Sequence, residues 1–263
     1  MRDDMKSIAK ALLDKMGLEV RRTRASSKGY SADPYAAQKK ILQAMGQSRP
    51  VIFDVGAHRG ETVARYRGLF PAADIWCFEP FPDSARALEQ RFANDPAVHV
   101  TPAAVSDKAG SKTFYVNNND STNSLLPRNQ QSRRYYHSEA TASTTVDVDV
   151  VTIDDVVRDN GLERIDILKF DIQGGELMAF EGAKETLQAN RAVLIYTETL
   201  FVPHYEGNPL FNDLWNKLAH YGYTLFDMYD LYRAGNGQLR FADALFVSSD
   251  VRRNVIDRYA DEP

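Results

Sequence analysis

The segment VIFDVGAHRGET, residues 51–62, runs from an apolar stretch through two glycines into a polar, helix-compatible one. A dinucleotide turn is spelled G-x-G-x-x-G and a phosphate loop ends in G-K-S/T. This chain has neither; Asp54, Gly56 and Gly60 are spaced D-x-G-x-x-x-G. Gly56 permits a backbone conformation closed to other residues and lets a ligand approach the main chain, and Gly60 permits close packing at a helix start. Asp54 then puts a carboxylate where a phosphate would otherwise sit, which suits a ligand carrying an ammonium group. One strand later WCFEP carries Glu79, an acceptor for both hydroxyls of a ribose. An amino acid joined to a nucleoside meets both demands, and S-adenosylmethionine is such a molecule. Cofactor contacts are therefore expected from Asp54, Gly56, Ala57, His58, Gly60, Thr62, Glu79 and Pro80, and from Asp171 farther along the chain. His58 can meet the methionine carboxylate or cap the helix. Ser106 and Asp107, in AAVSD, are placed to meet the adenine edge, although a turn or helix cap uses the same residue types.

Such residues converge only if strands and helices alternate. Apolar runs predict strands at 51–55, 74–79, 98–103, 165–170 and 192–197, with helices at about 60–69, 83–93 and 175–189. That alternation predicts an α/β, Rossmann-like fold with a mostly parallel sheet, which binds ligands beyond the carboxyl ends of its strands. LFNDLWNKLAHYG supplies a further helix, and YTLFDMYDLYR and RFADALFVS read as a closing hairpin around AGNGQ. SKTFYVN and TTVDVDVVTID alternate apolar and polar residues, so an antiparallel pair beside the parallel core is expected. Between them the loop 117–145 is rich in Asn, Ser, Gln and Arg, and a loop of this length is a functional lid or a disordered segment.

Ahead of the sheet, apolar spacing predicts an amphipathic helix over residues 2–17. A second helix opens at Asp33 and Pro34 and closes at Gly46. The expected organisation is an N-terminal helical extension over 1–48, a main domain over 49–250 and a tail over 251–263. The N-terminal helices either pair two subunits into a homodimer or pack on their own domain. A net charge of -4 without a basic domain argues against a nucleic-acid partner, and the basic run VRRTRASSK reads as a solvated linker. No apolar run approaches the ~20 residues of a membrane span, and the first residues lack the apolar core of a signal peptide, so a cytoplasmic location is expected. Cys77, alone in the chain, reads as a buried strand residue.

FDVGAHRGET, CFEPFP, AAVSD, STNSLL, VTIDD and LKFDIQGGE resemble, in order and spacing, the FkbM-type methyltransferases of the class I S-adenosylmethionine-dependent superfamily. The resemblance covers about residues 33–248. It implies a seven-stranded sheet whose last strand is antiparallel, and an O-methyltransferase acting on hydroxyls of natural products, sugars or glycans, with a small-molecule or glycan acceptor. Two other classes can share such a sheet. A nicotinamide-dependent dehydrogenase is disfavoured by the missing G-x-G-x-x-G, and a non-catalytic nucleoside-binding scaffold would keep the pocket without the transfer.

Methyl transfer to a hydroxyl is an in-line displacement whose tasks are alignment and deprotonation. The base must be a carboxylate, a histidine or a metal that acidifies the hydroxyl. DILKFDIQGGE supplies Lys169, Asp171, Gln173 and Glu176 at a strand end, with Lys169 and Asp171 on one side of the strand. A structural pair of Lys169 with Asp171 or Glu176 is the plainer reading of those charges. His204 in FVPHYEG is the preferred general base, with Asp171 and Lys169 as its catalytic neighbours. Asp171 and Glu198 resemble the carboxylate pair that holds Mg2+ in metal-dependent O-methyltransferases, although Thr199 stands where those carry a further Asp or Asn. Many members of the resembled family carry Glu at the place of Gln173, so one anionic ligand is missing. Asn123, Ser124, Arg133, Arg134, Tyr135, Tyr136 and His137 in the long loop are expected to select the substrate.

Overall fold

The apolar runs assemble into strands in the computed structural model, which describes residues 31–129 and 144–258. In chain order these are β1 (Val51–Val55), β2 (Asp74–Phe78), β3 (Val98–Thr101), β4 (Ala104–Val105), β5 (Gly110–Val116), β6 (Thr144–Val151), β7 (Ile165–Phe170), β8 (Ala192–Leu200), β9 (Thr224–Arg233) and β10 (Leu239–Val247). Seven of them form one sheet in the order β3-β2-β1-β7-β8-β10-β9. Pairing is parallel from β3 through β8, and β10 runs antiparallel to both of its neighbours. This is the expected mixed α/β sheet with its last strand reversed. The order reverses at β1, so the crevice beyond the ends of β1 and β7 is the switch point where such sheets bind ligands.

The antiparallel pair β5 and β6 forms as its alternation predicts, but it does not join the main sheet. With β4 it makes a separate three-stranded sheet in the order β4-β6-β5. The strand expected over 98–103 divides accordingly. Its first part ends at Thr101, Pro102 has no N–H to donate to a ladder, and Ala104–Val105 turns to pair with β6. Phe114, Val148 and Val150 close a small core of their own with Ala104.

The α-helices are α1 (Pro34–Ala44), α2 (Glu61–Leu69), α3 (Pro82–Phe92), α4 (Ile153–Asp159), α5 (Glu176–Glu181), α6 (Lys184–Gln188), α7 (Phe211–His220) and α8 (Ser249–Val251). Strand residues Phe53, Val55, Phe78, Leu168, Phe170, Ile195 and Phe246 share a core with Ile153 and Val157 of α4, Phe180 of α5, Leu187 of α6 and Leu218 of α7. Each such fully buried side chain contributes on the order of 2 kcal/mol by leaving water. The continuous helix expected over 175–189 is instead α5 and α6. Asp154 is the cause, because its carboxylate accepts from Glu185 N and Thr186 N at 2.9 Å each and caps α6 separately, while its own N–H donates to Gly182 O.

Helix α1 begins as the sequence predicts, with the Asp33 side chain accepting from Tyr35 N at 2.9 Å and Pro34 in the first turn. Its buried residues include Tyr35, Ile41 and Leu42, and the Tyr35 ring packs against Tyr66 of α2 and Tyr196 of β8. The helix predicted over residues 2–17, and the dimer contact read from it, lie outside the described residues. Among the described residues no helix is long and apolar enough to cross a membrane.

Candidate active site

Beyond the carboxyl ends of β1, β2 and β7 lies a cavity of about 250 Å3. Val55, Gly56, Ala57 and His58 form one wall, Phe78, Glu79 and Pro80 a second, and Lys169, Asp171, Ile172 and Gln173 a third. Gly56 has a φ of 82°, and a Cβ there would run into the carbonyl oxygen of Asp171. The β1 turn can therefore press against the β7 turn only with glycine at this position. Gly60 also has a φ of 82° and faces Leu88 and Phe92 of α3, which holds the start of α2 close.

Glu79 is buried, and its carboxylate braces the site by accepting from His58 N at 2.8 Å and Phe81 N at 2.9 Å. Burial pushes this carboxyl above its ordinary value, while the two backbone N–H groups favour the anion and pull it back. Each oxygen keeps a lone pair for a ligand hydroxyl. Ala103, Ala104, Val105, Phe114 and Leu125 make an apolar slot beside it. Asp120, Ser121 and Asn123 border the opening. Asp120 is tied to the glycine turn through Arg59 Nη2 at 2.6 Å and His58 Nε2 at 3.3 Å.

Of the residues expected to contact the cofactor, Gly56, Ala57, His58, Thr62, Glu79, Pro80 and Asp171 line the cavity. Four expected contacts fall elsewhere: Gly60, packed against α3, and Asp54, Ser106 and Asp107. Asp54 is fully buried behind the wall, where strand register sets it opposite Lys169, and the two side chains pair at 2.8 Å. It cannot present its carboxylate to a ligand in the cleft; the exposed carboxylate at that end is Asp171, with its side chain 46% exposed and 3.8 Å from Lys169 Nζ. Burial disfavours the Lys169 ammonium, but Asp54 and Asp171 outweigh it and raise its pKa. Lys169 therefore pairs chiefly with Asp54, and Glu176 instead accepts from Ile172 N and Gly174 N. Ser106 and Asp107 sit off the lining and are engaged by Lys112 of β5 at 2.7 and 2.6 Å.

A second cavity of about 280 Å3 is lined by Ser121, Thr122, Arg128, Gln173, Glu198, His204, Tyr232 and Phe241. Ser121 and Gln173 line both cavities. Tyr232 stacks on Phe241 with centroids 4.6 Å apart, giving this cavity an aromatic side. His204 is buried, and burial, followed by Arg128 and Arg240, pushes its imidazole down to about 4. Glu198 moves the other way: burial and then Asp171, Glu176 and Asp243 hold its carboxyl well above the usual range. The structure thus brings together Asp171, Gln173 and Glu198 and sets His204 apart from Lys169.

Gln173 is the joint between the cavities. Its Nε2 donates to Asp171 Oδ1 at 3.1 Å and to Glu198 Oε2 at 2.9 Å, and its Oε1 accepts from the Tyr205 hydroxyl at 2.8 Å. The expected Mg2+ pair is therefore bridged by an amide whose hydrogens point at both carboxylates, and these residues do not fit a cation. Among the described residues no group of three or more His, Cys, Asp or Glu is disposed to hold a metal ion. Of the long-loop residues expected to select substrate, Ser124 Oγ donates to Gln173 O at 2.8 Å and Asn123 Oδ1 accepts from Asn117 N at 2.7 Å. Arg133, Arg134, Tyr135, Tyr136 and His137 lie outside the described residues. Sequence reading missed Phe114, Asp120, Arg128, Tyr205, Tyr232 and Phe241, whose convergence depends on tertiary packing that no local pattern carries.

A model of the methyltransferase FkbM domain matches residues 54–225. The chain is 30% identical over 177 residues to 2-O-methyltransferase NoeI of Sinorhizobium fredii (strain NBRC 101917 / NGR234), covering 64% of this chain and 71% of that protein. It is 31% identical over 160 residues to methyltransferase sdnD of Sordaria araneosa, covering 52% of this chain and 62% of that protein. A solved 1,6-didemethyltoxoflavin-N1-methyltransferase of Burkholderia thailandensis, with bound 1,6-didemethyltoxoflavin and S-adenosylhomocysteine, is 12% identical with a TM-score of 0.43, covering 92% of this chain and 89% of that one. The matched span runs from the first strand of the sheet into β9 and takes in Glu79, Asp171, Gln173, Glu198 and His204. By that span the chain belongs to the FkbM family of methyltransferases.

Proposed function

We propose that this chain is an S-adenosylmethionine-dependent O-methyltransferase acting on a hydroxyl of a sugar, glycan or secondary metabolite. The observation that carries the reading is the meeting of two cavities at Gln173 and Ser121, one with the Glu79 carboxylate beside an apolar slot and one with the Glu198 carboxylate beside the junction. The hydroxyl acceptor draws further support from the relative that is a 2-O-methyltransferase. In this reading Glu79 takes the ribose hydroxyls, the slot of Val105, Phe114 and Leu125 takes the adenine, and Lys169 and Asp171 face the amino-acid end.

When bound, the cofactor supplies a methyl group on a sulfonium that leaves readily, so the protein's remaining tasks are to align the acceptor and remove its proton. We assign the base to Glu198 rather than His204. A base works best with a pKa near the working pH. Burial and neighbouring carboxylates raise Glu198 above its ordinary value and make it the more basic of the two, whereas the imidazole, pushed down to about 4, is a feeble proton acceptor. The acceptor hydroxyl would give its proton to a Glu198 carboxylate oxygen, and its freed electron pair would take the methyl that the cofactor would supply, the sulfonium sulfur keeping the pair of the bond it loses. His204, neutral beside Arg128, then orients the acceptor.

The test is calorimetric titration with S-adenosylhomocysteine, followed by transfer from a cofactor with a 13C-labelled methyl to candidate sugars and phenols. Saturable binding and an O-methyl carbon resonance are expected. Absence of binding by the wild-type protein would sink the cofactor assignment, and label appearing only on nitrogen or carbon would sink the acceptor assignment.

A further inference from the structure

We propose that the Gln173 side-chain amide does between Asp171 and Glu198 what a divalent cation would otherwise do, so that the acceptor site works without a metal. This deepens the O-methyl transfer reading and rests on it for the word acceptor; the cation claim itself stands on geometry alone.

Two carboxylates from neighbouring strand ends repel each other unless something positive lies between them. A cation would answer with oxygen ligands at about 2.0–2.6 Å. Here the centre is filled by one NH2 group, with Nε2 3.1 Å from Asp171 Oδ1 and 2.9 Å from Glu198 Oε2. The amide has no choice of orientation. Turned over, its carbonyl oxygen would face both carboxylates and repel them, whereas as placed each hydrogen has an acceptor.

The rest of the residue is anchored on three sides. Oε1 accepts from the hydroxyl of the fully buried Tyr205. The backbone carbonyl accepts from Ser124 Oγ, and the backbone itself is held at a φ of 55°, a conformation uncommon outside glycine. Swinging the side chain out to admit a cation would break the two carboxylate contacts and the Tyr205 contact together. Charge is also provided already, since Lys169 Nζ lies 3.8 Å from Asp171 Oδ2 and would repel an incoming dication. Gln173 is thus a positioning residue that fixes the two carboxylates relative to each other.

The decisive experiment titrates chelator-treated wild-type protein with Mn2+ and Mg2+ by calorimetry, beside Gln173→Glu. The wild type is expected to give no saturable heat up to about 1 mM, the weak end of protein oxygen sites. Gln173→Glu, which turns the amide into a third carboxylate, is expected to gain Mn2+ affinity by roughly tenfold or more. Adding Glu198→Gln to that variant should remove the gain. Saturable Mn2+ or Mg2+ binding by the wild type that Glu198→Gln abolishes overturns the proposal, as does a folded Gln173→Glu that binds no better than wild type. The wild-type arm decides the matter even if the variant does not fold. Failure of the methyl-transfer reading is recognised separately, as absent S-adenosylhomocysteine binding, and leaves the cation titrations readable.

Discussion

Lys169 Nζ lies 2.8 Å from Asp54 Oδ1 inside the sheet, in an ion pair that joins β1 to β7 beside the cavity lined by Gly56 and Glu79. Both side chains are almost wholly removed from water. Breaking a buried pair by deleting one partner strands the other charge, at about 3–5 kcal/mol. Asp54→Ala is therefore expected to lower unfolding free energy by about that amount in urea titrations, and Asp54→Asn combined with Lys169→Met to lose less than Asp54→Ala alone. A loss below about 1 kcal/mol for Asp54→Ala would show the pair to be unimportant to the fold.

Glu79 and Asp107 separate by the same logic applied to the cavity. Glu79 lines it and holds the turn at His58 and Phe81, whereas Asp107 is committed to Lys112 outside the lining. A hydrogen bond to a charged group is worth about 1.5–3 kcal/mol, or roughly 10- to 150-fold in affinity. Glu79→Ala should weaken S-adenosylhomocysteine binding within that range by calorimetry, and Asp107→Ala should change it less than about threefold. Equal losses from the two variants would contradict the placement of the ribose at Glu79.

Stability should fall as pH rises from mildly acidic to neutral, and Glu176 is the group to test. Its buried carboxyl is pushed up to about 7, chiefly by burial, against backbone N–H groups of Glu176, Ile172 and Gly174 that favour the anion. The folded value lies above the unfolded one, so the fold prefers the neutral acid. The stabilisation is complete below the ordinary carboxyl value and is lost as pH passes upward through about 7. Asp243, raised to about 6, adds to the same trend. His204, pushed down to about 4, acts oppositely and withdraws stability only as pH falls below its ordinary range towards that value. Melting temperatures taken between about pH 5 and 8 should therefore decline for the wild type and decline less for Glu176→Gln, which still accepts from the turn amides. An identical slope in the two proteins would remove Glu176 as the cause.

These contacts show which parts of the molecule local patterns could reveal. β1, β7 and β8 were legible because a strand buried on both faces reads as an apolar run, and the reversal at β10 followed from the hairpin and the resemblance. The presence of Asp54 was equally plain, but its partner was not. Lys169 is 115 residues away, and only parallel register places it opposite. For β5 and β6 alternation told the pairing but not the sheet, because alternation records one buried face and not what covers it. Gln173 was read as a missing anion, yet its bridging amide depends on residues 25 and 32 positions along the chain. Side-chain direction at a strand end is set by such packing and leaves no periodic trace.

Glu198 and His204 line the same cavity with opposite shifts, and turnover should tell them apart. General-base removal typically lowers rate by about 10²- to 10⁴-fold. Glu198→Gln keeps an oxygen for the Gln173 N–H and should still lose turnover in that range, with S-adenosylhomocysteine affinity changed less than about threefold because Glu198 lies outside the cavity lined by Glu79. A base that must be ionised also gives turnover that rises with pH and levels off above its pKa, and this acid limb should vanish in Glu198→Gln. His204→Asn should keep the limb and lose turnover less than about tenfold, through acceptor KM more than kcat, since an orienting group acts on binding. If His204→Asn instead abolishes the limb while Glu198→Gln preserves it, the proton goes to the imidazole and Glu198 is reduced to a partner of Gln173.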